Sequence, residues 1–126
     1  EVLKRISNPN LVWINENLPC EELKALYSHF YGFVGTRFHS VIFSLTSLVP
    51  SIAIGYGGNK AKGNMTDFDL KEYTIQIEDT TGEQLINMFD RLLENYSEVK
   101  NKLNLNSEKL ILKRKKIIDE INVLIR

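Results

Sequence analysis

Four short apolar runs alternate with segments of helical periodicity along this chain, and no other feature constrains its fold as strongly. The runs occupy residues 11–14, 31–35, 49–55 and 73–77. Apolar runs of this length are typical of buried strands, and strands that alternate with helices predict a parallel sheet covered on both faces. We therefore predict an α/β fold, a Rossmann-like three-layer α/β/α domain with a small parallel sheet of about four strands.

Helical periodicity places the expected helices between and after these runs. Apolar residues at i, i+3, i+4 and i+7 predict an amphipathic helix over 21–30. Residues 41–47 are apolar on almost every side, which is typical of a buried helix. Thr80 and Glu83 have the spacing of a capping box ahead of a further helix, and a last helix is predicted over 107–125.

Length and charge limit what the chain can be. Its 126 residues suffice for one hydrophobic core, so we expect a single domain over residues 1–126. The 16 basic and 16 acidic residues cancel, which gives no reason to expect nucleic acid or another polyanion as a partner. Any site for an anion must therefore be local.

The cysteine count and the apolar run lengths narrow the class further. Cys20 is the only cysteine, which excludes an internal disulfide framework and fits a reducing, cytoplasmic compartment. With only two histidines besides, no metal site is expected. No apolar run reaches the roughly 18 residues of a membrane-spanning helix, and the start at Glu1 without methionine indicates a piece of a longer protein.

Ligands in parallel sheets bind beyond the carboxyl ends of the strands, and two predicted loops, 36–40 and 56–64, leave those ends. In the first loop, Arg37 and His39 open a helix, where unpaired backbone N–H groups already present partial positive charge. Two further cations are unfavourable there unless an anion binds between them. On these residues alone the structural alternative stays open, with Arg37 on the surface and His39 bonded to a nearby carbonyl.

The second loop offers Tyr56, Lys60 and Lys62 beside several glycines, which allow the backbone to approach a ligand closely. Its richness in Gly and Asn predicts no regular structure over residues 57–64. Lysines in such a loop can neutralise a phosphate, although a mobile surface connection has the same composition. The G-x-x-x-x-G-K-[ST] pattern of a nucleotide-binding P-loop is absent.

The order of these segments resembles the polysaccharide pyruvyl transferase family. The resemblance is carried by Arg37-Phe38-His39-Ser40, by the strand that begins Val49-Pro50, and by Tyr56 with Lys60, for which Lys62 is the other candidate. It covers residues from about 11 to 96. It implies a two-domain GT-B-like architecture with the active site between the domains. This chain would be the second, donor-binding domain, and the amino-terminal half would be absent.

The same resemblance implies an enzyme that transfers a pyruvyl group from phosphoenolpyruvate onto two hydroxyls of a sugar or lipid-linked glycan. The reaction would belong to polysaccharide biosynthesis and would need no cofactor. It would take place in the cytoplasm, at the inner face of the membrane. Arg37 would bind the phosphoenolpyruvate anion, and His39 would be a second anion contact or the general acid or base. Ser40, Tyr56 and Lys60 would add substrate contacts. Because the acceptor would bind the absent half, the isolated fragment is expected to be inactive.

Two alternatives stay open on the sequence. A nucleotide-sugar glycosyltransferase domain would place similar basic residues on a diphosphate, with Glu78 or Asp79 at the ribose. A non-catalytic interaction domain would use the last helix, whose apolar stripe over 110–125 exceeds what a small sheet can cover. In that case exposed apolar surface and self-association are expected.

Overall fold

The computed structural model describes residues 6–58 and 60–125 of the chain. Helices and strands alternate from Cys20 onward, and two short 3-10 helices, Lys71–Tyr73 and Ile77–Asp79, flank the last strand. The elements are α1 (Cys20–Ser28), β1 (Phe33–Gly35), α2 (Phe38–Thr46), β2 (Ser51–Gly55), α3 (Lys60–Asp67), β3 (Thr74–Gln76), α4 (Gly82–Glu94) and α5 (Tyr96–Ile125). The chain is therefore an α/β protein, as predicted.

The described strands form one parallel sheet of three, in the order β1-β2-β3. Val34 pairs with Ile52, and Ala53 pairs with Thr74. Every residue of the central strand β2 is buried, because helices pack on both faces of the sheet. Ser51 on β2 bonds to α2, while Phe89 on α4 lies against the backbone at the start of β1.

The predicted strand over 11–14 is wrong. In the described residues this segment joins no strand, and its side chains are exposed, with Val12 at 80% and Trp13 at 63%. An apolar run becomes a strand only where a sheet edge accepts its backbone hydrogen bonds and another element covers its side chains. Residues 11–14 receive neither, so the sheet has three described strands instead of about four.

Two local predictions also need correction. The segment 57–64 was expected to lack regular structure, but α3 begins at Lys60. Burial of Met65 stabilises this helix, because tertiary packing outweighs weak intrinsic propensity. The capping box lies one residue later than predicted: Thr81 bonds to Gln84 at the start of α4.

The last helix is longer than predicted and begins at Tyr96 rather than near residue 107. Its first half packs on the domain, where Val99 and Leu103 are buried. Lys100 Nζ donates to the Leu48 carbonyl oxygen at 2.7 Å, and Asn106 Nδ2 donates to the Phe68 carbonyl oxygen at 3.2 Å. Since these carbonyls precede β2 and β3, α5 crosses the amino ends of those strands.

The second half of α5 leaves the domain. Residues 111–125 are all exposed, which confirms the expected uncovered apolar surface. Among the described helices, none is both long enough and apolar enough to cross a membrane.

Candidate functional site

A pocket of about 290 Å³ opens where β1 and β2 end. Eight residues line it: Thr36, Phe38, His39, Val41, Ile54, Gly55, Tyr56 and Gly57. The first four come from the β1–α2 connection and the start of α2, and the last four from the end of β2 and the turn beyond it. The site therefore lies at the carboxyl edge of the parallel sheet, where the sequence placed the search for a ligand.

The amino end of α2 forms one wall of this pocket. Arg37 occupies the N-cap position with extended backbone angles, and no side chain caps the helix. The N–H groups of the first turn consequently have no intrahelical partner, and the positive end of the helix dipole points out of the helix there. His39, in this first turn, lines the pocket, and its ring meets the Phe38 ring edge-on at 5.4 Å between centroids.

Arg37 and Ser40, the two other predicted residues of this segment, do not line the pocket. The Ser40 hydroxyl donates to the carbonyl oxygen of Arg37 at 2.7 Å, so it bonds to the helix backbone. The Arg37 side chain is exposed and is not part of the pocket wall, although its backbone adjoins two residues that are. The structure thus places His39 in the pocket and Arg37 and Ser40 beside it.

The turn after β2 forms the opposite wall. Tyr56 lines the pocket with 62% of its surface exposed. Gly57 and Gly58 follow with φ of 59° and 128°, conformations that glycine adopts without the steric strain other residues incur. Lys60 begins α3, but its side chain lies outside the described residues, and Lys62 is exposed on the same helix.

Six lining residues were missed as site residues: Thr36, Phe38, Val41, Ile54, Gly55 and Gly57. Thr36 and Phe38 directly flank Arg37, so the strand-to-helix position that selected Arg37 could also have selected them. Val41 is 2% exposed and Ile54 9%, and they give the pocket an apolar floor. Both belong to apolar runs that sequence reasoning assigned to the core, and nothing in those runs shows which member borders a cavity.

None of the eight residues that line the pocket is acidic. The sequence contains no Asp or Glu between Glu22 and Asp67, whereas this stretch contains Arg37, His39 and several lysines. The neutral overall charge of the chain therefore hides a stretch of sequence whose charged residues are all basic, and this stretch includes the uncapped start of α2. Such a combination favours a small anion.

These features define an α/β domain with a pocket at the carboxyl edge of its parallel sheet. Residues 2–58 match a family model described as polysaccharide pyruvyl transferase. This match supports the family assignment that was made from the sequence. The matched segment contains every residue that lines the pocket.

The family match supports a transferase, of the kind that acts as a pyruvyl transferase in polysaccharide synthesis. No curated protein and no solved structure gives a significant match to the chain.

Proposed function

We propose that this chain is the donor-binding domain of a polysaccharide pyruvyl transferase and that its pocket binds phosphoenolpyruvate. The observation that carries the proposal is the pocket itself, because an uncapped helix terminus, an imidazole and an acid-free stretch of chain surround one small cavity. Phosphoenolpyruvate carries a carboxylate and a phosphate on a three-carbon frame. It needs concentrated positive charge and little space.

In this proposal each group around the pocket has a role that its chemistry supports. Free N–H groups at the start of α2 bind one anionic end of the donor. The Arg37 side chain, long and exposed, folds over the pocket mouth and forms two parallel hydrogen bonds with the same end. Ser40 contributes once its hydroxyl turns from the Arg37 carbonyl, while Tyr56 and Lys60 contact the other end.

The pyruvyl transfer needs a proton, a base and charge neutralisation. A proton is delivered to the methylene carbon of phosphoenolpyruvate, one sugar hydroxyl attacks the adjacent carbon, and a second hydroxyl displaces phosphate to close the ketal. His39 lines the pocket, and its imidazole is the group proposed to transfer the proton. Val41 and Ile54 form an apolar floor on which the methylene group can rest.

The rest of the active site belongs to another part of the enzyme. In a GT-B-like arrangement the acceptor sugar or lipid-linked glycan binds a first domain, and the pocket described above faces the cleft between the two domains. The proposed setting is polysaccharide synthesis in the cytoplasm, at the inner face of the membrane. The chain alone then binds the donor without turning it over.

A nucleotide-sugar glycosyltransferase domain is the second candidate, and one observation favours it. Glu78 and Asp79 are exposed in the short helix directly after β3, a position from which a carboxylate can bind a ribose. Neither residue lines the pocket at the ends of β1 and β2. The phosphoenolpyruvate assignment therefore uses the described cavity better.

Separate calorimetric titrations with phosphoenolpyruvate and with a uridine diphosphate sugar distinguish the two candidates. We expect heat of binding from phosphoenolpyruvate, competition by inorganic phosphate, and no change in the Asp79→Asn variant. Binding of the nucleotide sugar alone, weakened by Asp79→Asn, would overturn the proposal in favour of the glycosyltransferase.

A further inference from the structure

The second half of α5 carries an apolar stripe that no described residue covers. Its members are Ile111, Ile117, Ile118, Ile121, Leu124 and Ile125, all exposed, and they are called the distal stripe below. At 3.6 residues per turn the stripe continues the helix face on which Val99 and Leu103 are buried against the domain. The face that docks α5 on the domain therefore extends beyond it.

We propose that the distal stripe binds a second copy of this chain, with the two α5 helices antiparallel. A twofold pair uses the same surface on both partners, so every charge on the stripe must find its complement on the same helix. The residues in and beside the stripe meet this condition in one orientation only.

Arg114 decides against a parallel pair. It lies in the middle of the apolar face, one helical turn from Ile117 and two turns from Ile121 along the stripe. A parallel pair in register would place Arg114 opposite Arg114, and like charges facing each other are destabilising. In a staggered antiparallel pair Arg114 faces Ile117 of the second copy, packs its aliphatic stem there and extends its guanidinium to solvent.

Charges on one flank of the stripe favour the same orientation. Lys113 and Glu120 are seven residues apart and so lie on the same side of the apolar face. In the antiparallel pair Lys113 of each copy faces Glu120 of the other, and the twofold axis repeats the ion pair. Glu120 also lies 4.0 Å from Lys116 within its own helix, but an exposed pair of that length holds its partners weakly.

A lipid surface fits the stripe less well than a second copy. Helices that lie in a membrane interface place basic residues on their polar face and keep the apolar face uncharged. Here Arg114 interrupts the apolar face, and Asp119 and Glu120 stand among Lys113, Lys115 and Lys116 of the polar side. Both features disfavour binding of the helix to an anionic bilayer.

Sedimentation velocity on the whole chain, over a range of concentrations, tests the pairing. We expect a monomer–dimer equilibrium for the wild type. Lys113→Glu alone and Glu120→Lys alone should each weaken dimerisation about tenfold, because each replaces two attractive pairs by two repulsive ones. An equimolar mixture of the two variants should recover a dimer, since each repulsive pair is then replaced by an attractive one.

Lys115→Glu is the matched control, because Lys115 lies on the other side of the helix from Lys113, and dimerisation should not change. Circular dichroism on every variant verifies that α5 remains helical. A wild type that stays monomeric, single variants that behave like the control, or a mixture that does not recover the dimer would each overturn the proposal. So would binding to anionic phospholipid vesicles by a chain that does not self-associate.

Discussion

The hydroxyl of Ser51 on β2 donates a hydrogen bond of 2.9 Å to the hydroxyl oxygen of Ser44 on α2, and both residues are fully buried. Ser44 in turn donates to the carbonyl oxygen of Val41 at 2.9 Å. This polar contact between two apolar surfaces fixes α2 against the central strand. Because α2 carries His39 and Tyr56 directly follows β2, the contact also sets the spacing of the two pocket walls.

Replacing Ser44 by alanine removes the hydroxyl that accepts this bond. We expect the free energy of unfolding to fall by about 1 kcal/mol, the usual net value of a buried hydrogen bond, as measured by urea denaturation. Ser97→Ala on the exposed side of α5 is the control and should change stability by less than about 0.5 kcal/mol. Equal stability of both variants would show that the buried hydroxyl pair contributes nothing.

The sheet allows no side chain at Gly35, the last residue of β1. A Cβ there would overlap the ring of Phe33 and stand 3.3 Å from Cγ2 of Val41. Gly35→Ala should therefore destabilise the fold by about 1 to 3 kcal/mol through overpacking. Gly63 in α3 provides the contrast, because a Cβ there meets nothing within 4 Å.

Gly63→Ala should stabilise the protein by about 0.5 to 1 kcal/mol, since alanine is the better helix former. Thermal unfolding of the two variants beside the wild type measures both effects. A change of the same sign in both would contradict this packing of β1 against α2.

Three groups make the fold sensitive to alkaline pH: Tyr73, which directly precedes β3, and Tyr96 and Lys102 on α5. Burial raises the pKa of Tyr73 and of Tyr96 above 10.0. Burial alone would lower the pKa of Lys102, but its hydrogen bond to Glu72 and the neighbouring carboxylates outweigh this and raise the pKa above 10.5. All three groups hold their protons more tightly in the folded state than in the unfolded state.

It follows from linkage that this contribution to stability is fully present below about pH 10 and is lost as the pH rises through the folded pKa values. Urea denaturation at several alkaline pH values should show a falling free energy of unfolding. Tyr73→Phe should make the decline shallower. A stability that rises over the same range would contradict the assigned directions.

Sequence patterns predicted those parts of the fold that depend on local apolar runs. The segments at Phe33–Gly35, Ser51–Gly55 and Thr74–Gln76 are strands within the predicted runs. The run over 11–14 has the same apolar pattern, but in the described residues no strand pairs with it and no element packs on it. Composition alone does not show whether such a partner exists. Helix α3 was missed because its sequence has weak helix propensity. Its stability comes from burial of Met65.

The position of the candidate site was predictable, while its lining was only partly so. Topology alone places His39 and Tyr56 at the carboxyl edge of the sheet. The direction of a flexible side chain such as Arg37 depends on packing, which sequence spacing does not describe. Packing also decides that Val41 and Ile54, among the apolar residues, form the pocket floor.

The central claim is that Arg37 and His39 hold phosphoenolpyruvate at the start of α2, and calorimetric titration of phosphoenolpyruvate into the chain tests it most directly. We expect the wild type to bind and Arg37→Ala and His39→Ala each to lose about 1.5 to 3 kcal/mol of binding free energy, the value of a hydrogen bond to a charged group. His29→Ala, at the exposed end of α1, should bind like the wild type. Equal binding by all four proteins, or binding by none, would contradict the account.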